Sequence, residues 1–150
     1  MNLSCFEDLA RQFELLARLV EMLGDNPFKA RTYRFAADKM RSRESEKISK
    51  EAIKELSKEK GIGKAVVGKS LQFLESGRIK KIEELKSQIP LPLFLLARES
   101  NIPGRTLHKL YEELKDLSLK DIVVTLKQRA SKLGLDEDFI RRLEESVRSE

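Results

Sequence analysis

Gly61-Ile62-Gly63-Lys64-Ala65-Val66-Val67-Gly68-Lys69 is the stretch that decides how this chain folds. Two glycines flank one isoleucine, after a polar helix and before a run of Val and Leu at helical spacing. Glycine permits a tight corner between two helices. The helix that follows presents unsatisfied N–H groups and the positive end of its dipole, a combination that holds an anion. Lys64 and Lys69 add whole charges beside it. Such a corner grips a phosphate without reading bases.

Outward from this corner the pattern is helical in both directions. Ser4-Cys5-Phe6-Glu7 spells a capping box. Phe6, Leu9, Phe13, Leu16, Val20 and Leu23 then recur at the spacing of one helix face, and Gly24 stops it. Asn26 caps the next helix with Pro27 in its first turn. Residues 42–49 are a polar connection, and Ile53 and Leu56 carry the helix that enters the glycine corner. Beyond it, Val66, Val67, Leu71 and Leu74 predict a helix ending at Gly77, and Ile79, Ile82 and Leu85 a short one. Pro90-Leu91-Pro92 interrupts any helix and is the boundary expected between two lobes, residues 1–88 and 92–150. The second lobe repeats the plan of the first in degenerate form. Leu93, Leu95 and Leu96 precede a turn at Asn101-Ile102-Pro103-Gly104, and Leu107, Leu110, Tyr111 and Leu114 follow it. Ser118 starts a helix through Ile122, Leu126 and Ala130 to Gly134, and Asp136 caps the last. Nothing alternates with period two, so the fold class is all-α, two small helical lobes each built around a helix, a hairpin and a helix.

Composition narrows the function. The 150 residues are 40% hydrophobic and 37% charged, with net charge +5. Residues 26–81 hold 16 Lys/Arg against 7 Asp/Glu, so the basic excess lies around the glycine corner. A focused positive region suits a polyanion; a solvated lysine-rich face is the plainer alternative. One cysteine, Cys5, allows neither an internal disulfide nor a cysteine-based zinc site. With no long apolar run and no leader, no membrane contact is expected, and the reading is a cytoplasmic, DNA-associated protein. Asp136-Glu137-Asp138 has a metal-site spelling, but acids at a helix start complement its dipole. His108 reads as a surface or phosphate-proximal residue.

Three segments resemble the amino-terminal region of the family X (DNA polymerase beta-like) DNA polymerases. They are Asn26-Pro27-Phe28-Lys29 with Tyr33-Arg34 and Ala36-Ala37; Gly61-Ile62-Gly63-Lys64 through Leu74-Glu75-Ser76-Gly77; and Ile102-Pro103-Gly104 with Lys109 to Leu114. The resemblance covers most of residues 6–115. It implies a lyase-type helix-hairpin-helix domain followed by a second, degenerate helix-hairpin-helix lobe, which together hold gapped, nicked or flapped DNA in repair. The family's polymerase domain is expected beyond this sequence, so no polymerase activity is expected of these residues.

The same resemblance implies candidate residues. Lys69 falls on the lysine that forms a Schiff base in 5′-deoxyribose-phosphate lyase chemistry. Lys29 and Tyr33 fall on 5′-phosphate contacts and Lys81 on a further basic position. Arg31, Arg34, Gly61, Ile62, Gly63, Lys64 and Ala65 complete the first DNA-binding set; Gly104, Arg105 and Thr106 form the second. Ala65 and Ser57 replace basic residues of the family pocket, and Phe28 stands where a DNA-stacking histidine is found. No organic cofactor is implied, but the hairpin carbonyls of Ser57, Glu59 and Ile62 are the positions at which the family holds Na+ or K+ against a DNA phosphate. In the second hairpin Asn101 and Pro103 replace glycines; asparagine tolerates a positive φ, whereas proline removes one N–H. That hairpin is therefore expected to bind DNA more weakly or to serve packing. Three functions remain open on sequence: a sequence-independent DNA-binding module, a lyase acting through Lys69, and an adaptor docking on a repair nuclease or polymerase subunit.

Overall fold

The computed structural model describes residues 4–148. Among them run ten helices: α1 (Phe6–Leu23), α2 (Pro27–Arg41), α3 (Lys50–Leu56), α4 (Lys64–Ser76), α5 (Lys80–Lys86), α6 (Leu91–Glu99), α7 (Gly104–Leu114), α8 (Leu119–Gln128), α9 (Ala130–Leu133) and α10 (Glu137–Ser146). Extended pairing among the described residues is one bridge, Cys5 with Lys47. The fold is all-α.

α1 is the spine. Its apolar stripe is wider than one helix face: besides Phe6, Leu9, Phe13, Leu16 and Val20, the residues Ala10, Ala17, Leu19 and Met22 are buried. The reason is that α1 is covered on several sides, by α2, α5, α6 and α7. The cap sits one residue later than the sequence pattern suggests. Cys5 is the N-cap, and Asp8 accepts from the Cys5 amide at 3.0 Å. Ser4 is instead drawn into the 42–48 connection, where its carbonyl accepts from the Ile48 amide at 3.1 Å.

α2 starts as expected: the Asn26 side chain accepts from the Phe28 amide at 2.9 Å, with Pro27 at the first position. On α4 the buried positions are Val66, Ser70 and Phe73, while Leu71 is 38% exposed, a register correction of the Val66–Leu71 stripe. Ser70 enters the core because its hydroxyl donates to the Val66 carbonyl at 2.8 Å, which satisfies it within the helix. The helix read from Ser118 to Gly134 breaks at Arg129, whose backbone (φ −100°, ψ 7°) leaves the helical range and separates α8 from α9.

Pro90 and Pro92 start α6. One hydrophobic core runs through helices on both sides of them. Two reciprocal notches seat α7 on the end of α1. His108 from α7 lies over Gly24, where a Cβ would stand 2.6 Å from the ring, and His108 Nδ1 is 2.9 Å from the Met22 carbonyl. Glu21 from α1 lies over Gly104. His108 is thus a half-buried cap on α1, not the surface residue its sequence context suggests. Arg18 completes the joint, its guanidinium donating to the carbonyls of Ala97 at 2.7 Å and Ser100 at 3.0 Å, at the end of α6.

Candidate nucleic-acid interface

The glycine corner joins α3 to α4. Ile62 is its anchor, buried in the core. Gly61 holds φ +96°, and a Cβ there would meet the Phe35 ring at 2.6 Å, so both backbone and space demand glycine. Gly63 differs. It is the N-cap of α4 in an extended conformation (φ −98°, ψ −175°), no side chain caps the helix, and nothing lies within 4 Å of a built Cβ. Its bareness leaves the first amides of α4 open to an incoming group. Lys64 and Ala65 follow, both exposed. Ser57, Ile62, Gly63, Lys64, Val67 and Gly68 line an open hollow of about 480 Å³ beside them.

A second group of cations forms where α2, α4 and α5 meet. Tyr33 is buried against Phe13, ring centroids 5.9 Å apart. Lys69 Nζ lies 5.7 Å from the Tyr33 centroid. Burial, then Lys81, then Lys29 push the Lys69 ammonium below the usual lysine range, with Glu84 opposing them. Burial also raises the Tyr33 phenol, which Lys29 partly offsets. Lys29 reaches Asp25 at 3.3 Å and Lys81 reaches Glu84 at 3.9 Å, both at the solvent edge. The Asn26 amide and Lys29 together hold Asp25 below the usual carboxylate range.

The structure therefore brings Lys29, Tyr33, Lys69 and Lys81 into one cluster. The corner residues Gly61 to Ala65 lie at the start of the helix that carries Lys69. Arg31 stands apart, its guanidinium 4.4 Å from the centroid of the exposed Phe28 ring. Arg34 is turned toward α1 and clamped on Glu21 by two hydrogen bonds of 2.5 and 2.6 Å. Gly104 and Arg105 join Arg31, Arg34 and His108 around a different open hollow of about 530 Å³. Thr106 faces another depression, shared with Asn101, Lys132 and Arg142. Asp136 spends its carboxylate on capping, accepting from the Phe139 amide at 2.8 Å. Among the described residues no three His, Cys, Asp or Glu side chains gather as metal ligands, and no helix is long and apolar enough to cross a membrane.

Comparison with known proteins places this arrangement. Residues 7–79 match the helix-hairpin-helix domain family. That stretch of the chain is a helix-hairpin-helix domain. Over 108 residues it is 30% identical to the DNA polymerase/3′-5′ exonuclease PolX of Bacillus subtilis (strain 168), a match over 72% of this chain. The chain spans 18% of that relative's length. The helix-hairpin-helix match contains both the glycine corner and Lys69 and stops just short of Lys81.

Sequence reasoning missed Glu21 and Arg18. The signal for Glu21 was Gly104 in the first turn of a helix that needs no left-handed residue there. A glycine without a conformational duty marks a close approach.

Proposed function

We propose that this chain binds the sugar–phosphate backbone of DNA without sequence preference, favouring gapped, nicked or flapped duplexes in repair. The helix-hairpin-helix domain and the likeness to a DNA polymerase support DNA as the partner. The observation that carries the finer reading is the nearness of two anion-seeking features. The uncapped start of α4 takes an internal phosphate, and Lys69, one to two turns along α4 and grouped with Lys29 of α2 and Lys81 of α5, takes the terminal phosphate of a broken strand. The last carbonyls of α3 are taken within the turn, Glu55 accepting from the Lys58 amide at 3.1 Å and Leu56 from the Glu59 amide at 3.0 Å, so a cation would turn to the hairpin beyond them. Ser57, Glu59 and Ile62 would hold Na+ or K+ there and let the cation bridge to the phosphate; the Glu59 carbonyl already accepts the Ile62 amide at 3.2 Å and keeps a second lone pair.

A lyase reading is favoured by one specific feature, the half-buried Lys69 beside Tyr33, whose proton is loosened by burial first and then by Lys81 and Lys29. Its neutral Nζ attacks C1′ of the open sugar aldehyde, and water leaves as the imine forms. Loss of a C2′ proton sends an electron pair toward the imine while the C3′–O bond breaks, releasing the downstream strand as a phosphate. Water then hydrolyses the imine and returns the amine.

Fluorescence anisotropy with a gapped duplex bearing a 5′ phosphate tests the binding reading. Affinity should fall steeply with salt, and Lys29→Ala and Lys81→Ala should each reduce the slope by about one. No association at low salt, together with a stable protein partner in a pull-down, would instead support an adaptor. Borohydride trapping on a 5′-deoxyribose-phosphate end tests the lyase, with Lys69→Ala as control; no Lys69-dependent adduct ends that reading.

A further inference from the structure

Imine chemistry at Lys69 leaves one proton unassigned. Once the sugar is bound as an imine, a base must take its C2′ proton before the C3′–O bond can break. The titratable groups that act on the cluster are Lys29, Tyr33, Lys81, Asp25 and Glu84. Lys29 and Lys81 are cations and serve the phosphate. Tyr33 is buried against Phe13, and burial raises its phenol, so it keeps its proton at neutral pH. Asp25 is already committed. It accepts from the Asn26 amide at 2.6 Å and from Lys29 Nζ at 3.3 Å, and both bonds favour its charged form. Glu84 differs. Its side chain is exposed at the solvent edge of the cluster, and its nearest cation is Lys81, at 3.9 Å. That distance steadies the carboxylate without a hydrogen bond, so both oxygens remain able to take a proton. Three residues apart, Lys81 and Glu84 share the face of α5 that meets Lys69.

We propose that Glu84 is the general base that removes the C2′ proton from the sugar held on Lys69. This rests on the lyase reading and deepens it by naming the second catalytic group. The carboxylate takes the proton. The C–H electron pair moves into the C1′–C2′ bond and neutralises the protonated imine. It then returns to expel the C3′ oxygen with the phosphate of the downstream strand, leaving a double bond between C2′ and C3′. Glu84 passes its proton to water, and water hydrolyses the imine.

The test is a single-turnover assay on a duplex with a 5′-deoxyribose-phosphate end, comparing the parent with Glu84→Gln, Glu84→Asp and Lys69→Ala, each checked by circular dichroism. Borohydride trapping reads the imine, and loss of the sugar from the downstream strand without borohydride reads the elimination. The two steps respond to Glu84 in opposite directions, because its charge opposes proton loss at Lys69. Glu84→Gln should therefore trap at least as fast as the parent and eliminate about 100-fold more slowly. Glu84→Asp keeps a carboxylate and should recover part of the elimination. Glu84→Ala gives the same reading as Glu84→Gln if the latter fails to fold. Elimination at the parental rate in a folded Glu84→Gln overturns the proposal. So does trapping that falls in step with elimination, which marks Glu84 as a support for Lys81 or Lys69 and not a base. If the parent forms no Lys69-dependent adduct, the lyase reading fails and this inference fails with it. A parental adduct with undiminished elimination in Glu84→Gln sinks this inference alone.

Discussion

Replacing Gly63 by Asp should make the protein more stable and a worse DNA binder. The backbone already suits it. Asp136, the N-cap of α10, holds φ −86° and ψ 172°, close to the φ −98° and ψ −175° of Gly63, and its carboxylate accepts from the Phe139 amide in the first turn at 2.8 Å. No neighbour lies within 4 Å of the new Cβ. An acidic cap in place of glycine is worth about 0.5–1 kcal/mol through the amide bond and the helix dipole. For a chain of this length that raises the melting temperature by about 1–4 °C. The same carboxylate fills the amides that a phosphate needs and repels the phosphate. Loss of one charge-assisted bond, about 1.5–3 kcal/mol, corresponds to roughly 10- to 100-fold in affinity. Thermal melts followed at 222 nm and salt-dependent anisotropy give both numbers on one preparation. Gly63→Ser, which caps without charge, should fall between parent and Asp in affinity. A lower melting temperature for Gly63→Asp would refute the backbone assigned to the corner, and unchanged affinity would refute the role of the α4 amides.

Further expectations follow from single contacts. Gly61→Ala must adopt φ +96° and meet the Phe35 ring, a loss of about 2–4 kcal/mol and roughly 5–15 °C in the same melt; a parental melting temperature would contradict this. Arg18→Ala strips two carbonyls at the end of α6 of their charged donor, and chemical denaturation should show about 2–4 kcal/mol lost. Lys69→Met should be at least as stable as the parent near neutral pH. The folded chain holds the Lys69 proton less tightly than the unfolded one, so parental stability rises as pH climbs through the folded value toward the ordinary 10.5, and the variant's advantage should shrink over that window. An advantage that grows with pH would reverse the assigned direction.

Local grammar was legible and distant packing was not. Asn26-Pro27 and Gly61 act through their own backbones, so residue type and position were enough to place the α2 start and the α3–α4 corner. The cap of α1 slipped from Ser4 to Cys5 because two overlapping boxes, Ser4/Glu7 and Cys5/Asp8, fit the same spacing, and the bridge to Lys47 selects between them. Phe73 displaced Leu71 on α4 because the two lie nearly opposite each other around the helix, and the inward face is the one that Phe73 shares with Val66 and Ser70. Arg18, Glu21 and His108 took their roles from partners about eighty residues away, which no periodicity encodes. For the site, the family resemblance named Lys29, Tyr33, Lys69 and Lys81 as a set, but it carried no sign that Arg34 is committed to Glu21.

The central claim is that the bare start of α4 receives the DNA backbone. The most direct measurement is a titration of the isotope-labelled chain with a gapped duplex, following backbone amide resonances. The account predicts large shifts at Gly63, Lys64, Ala65 and Val66. Silent amides at 63–66 would contradict it.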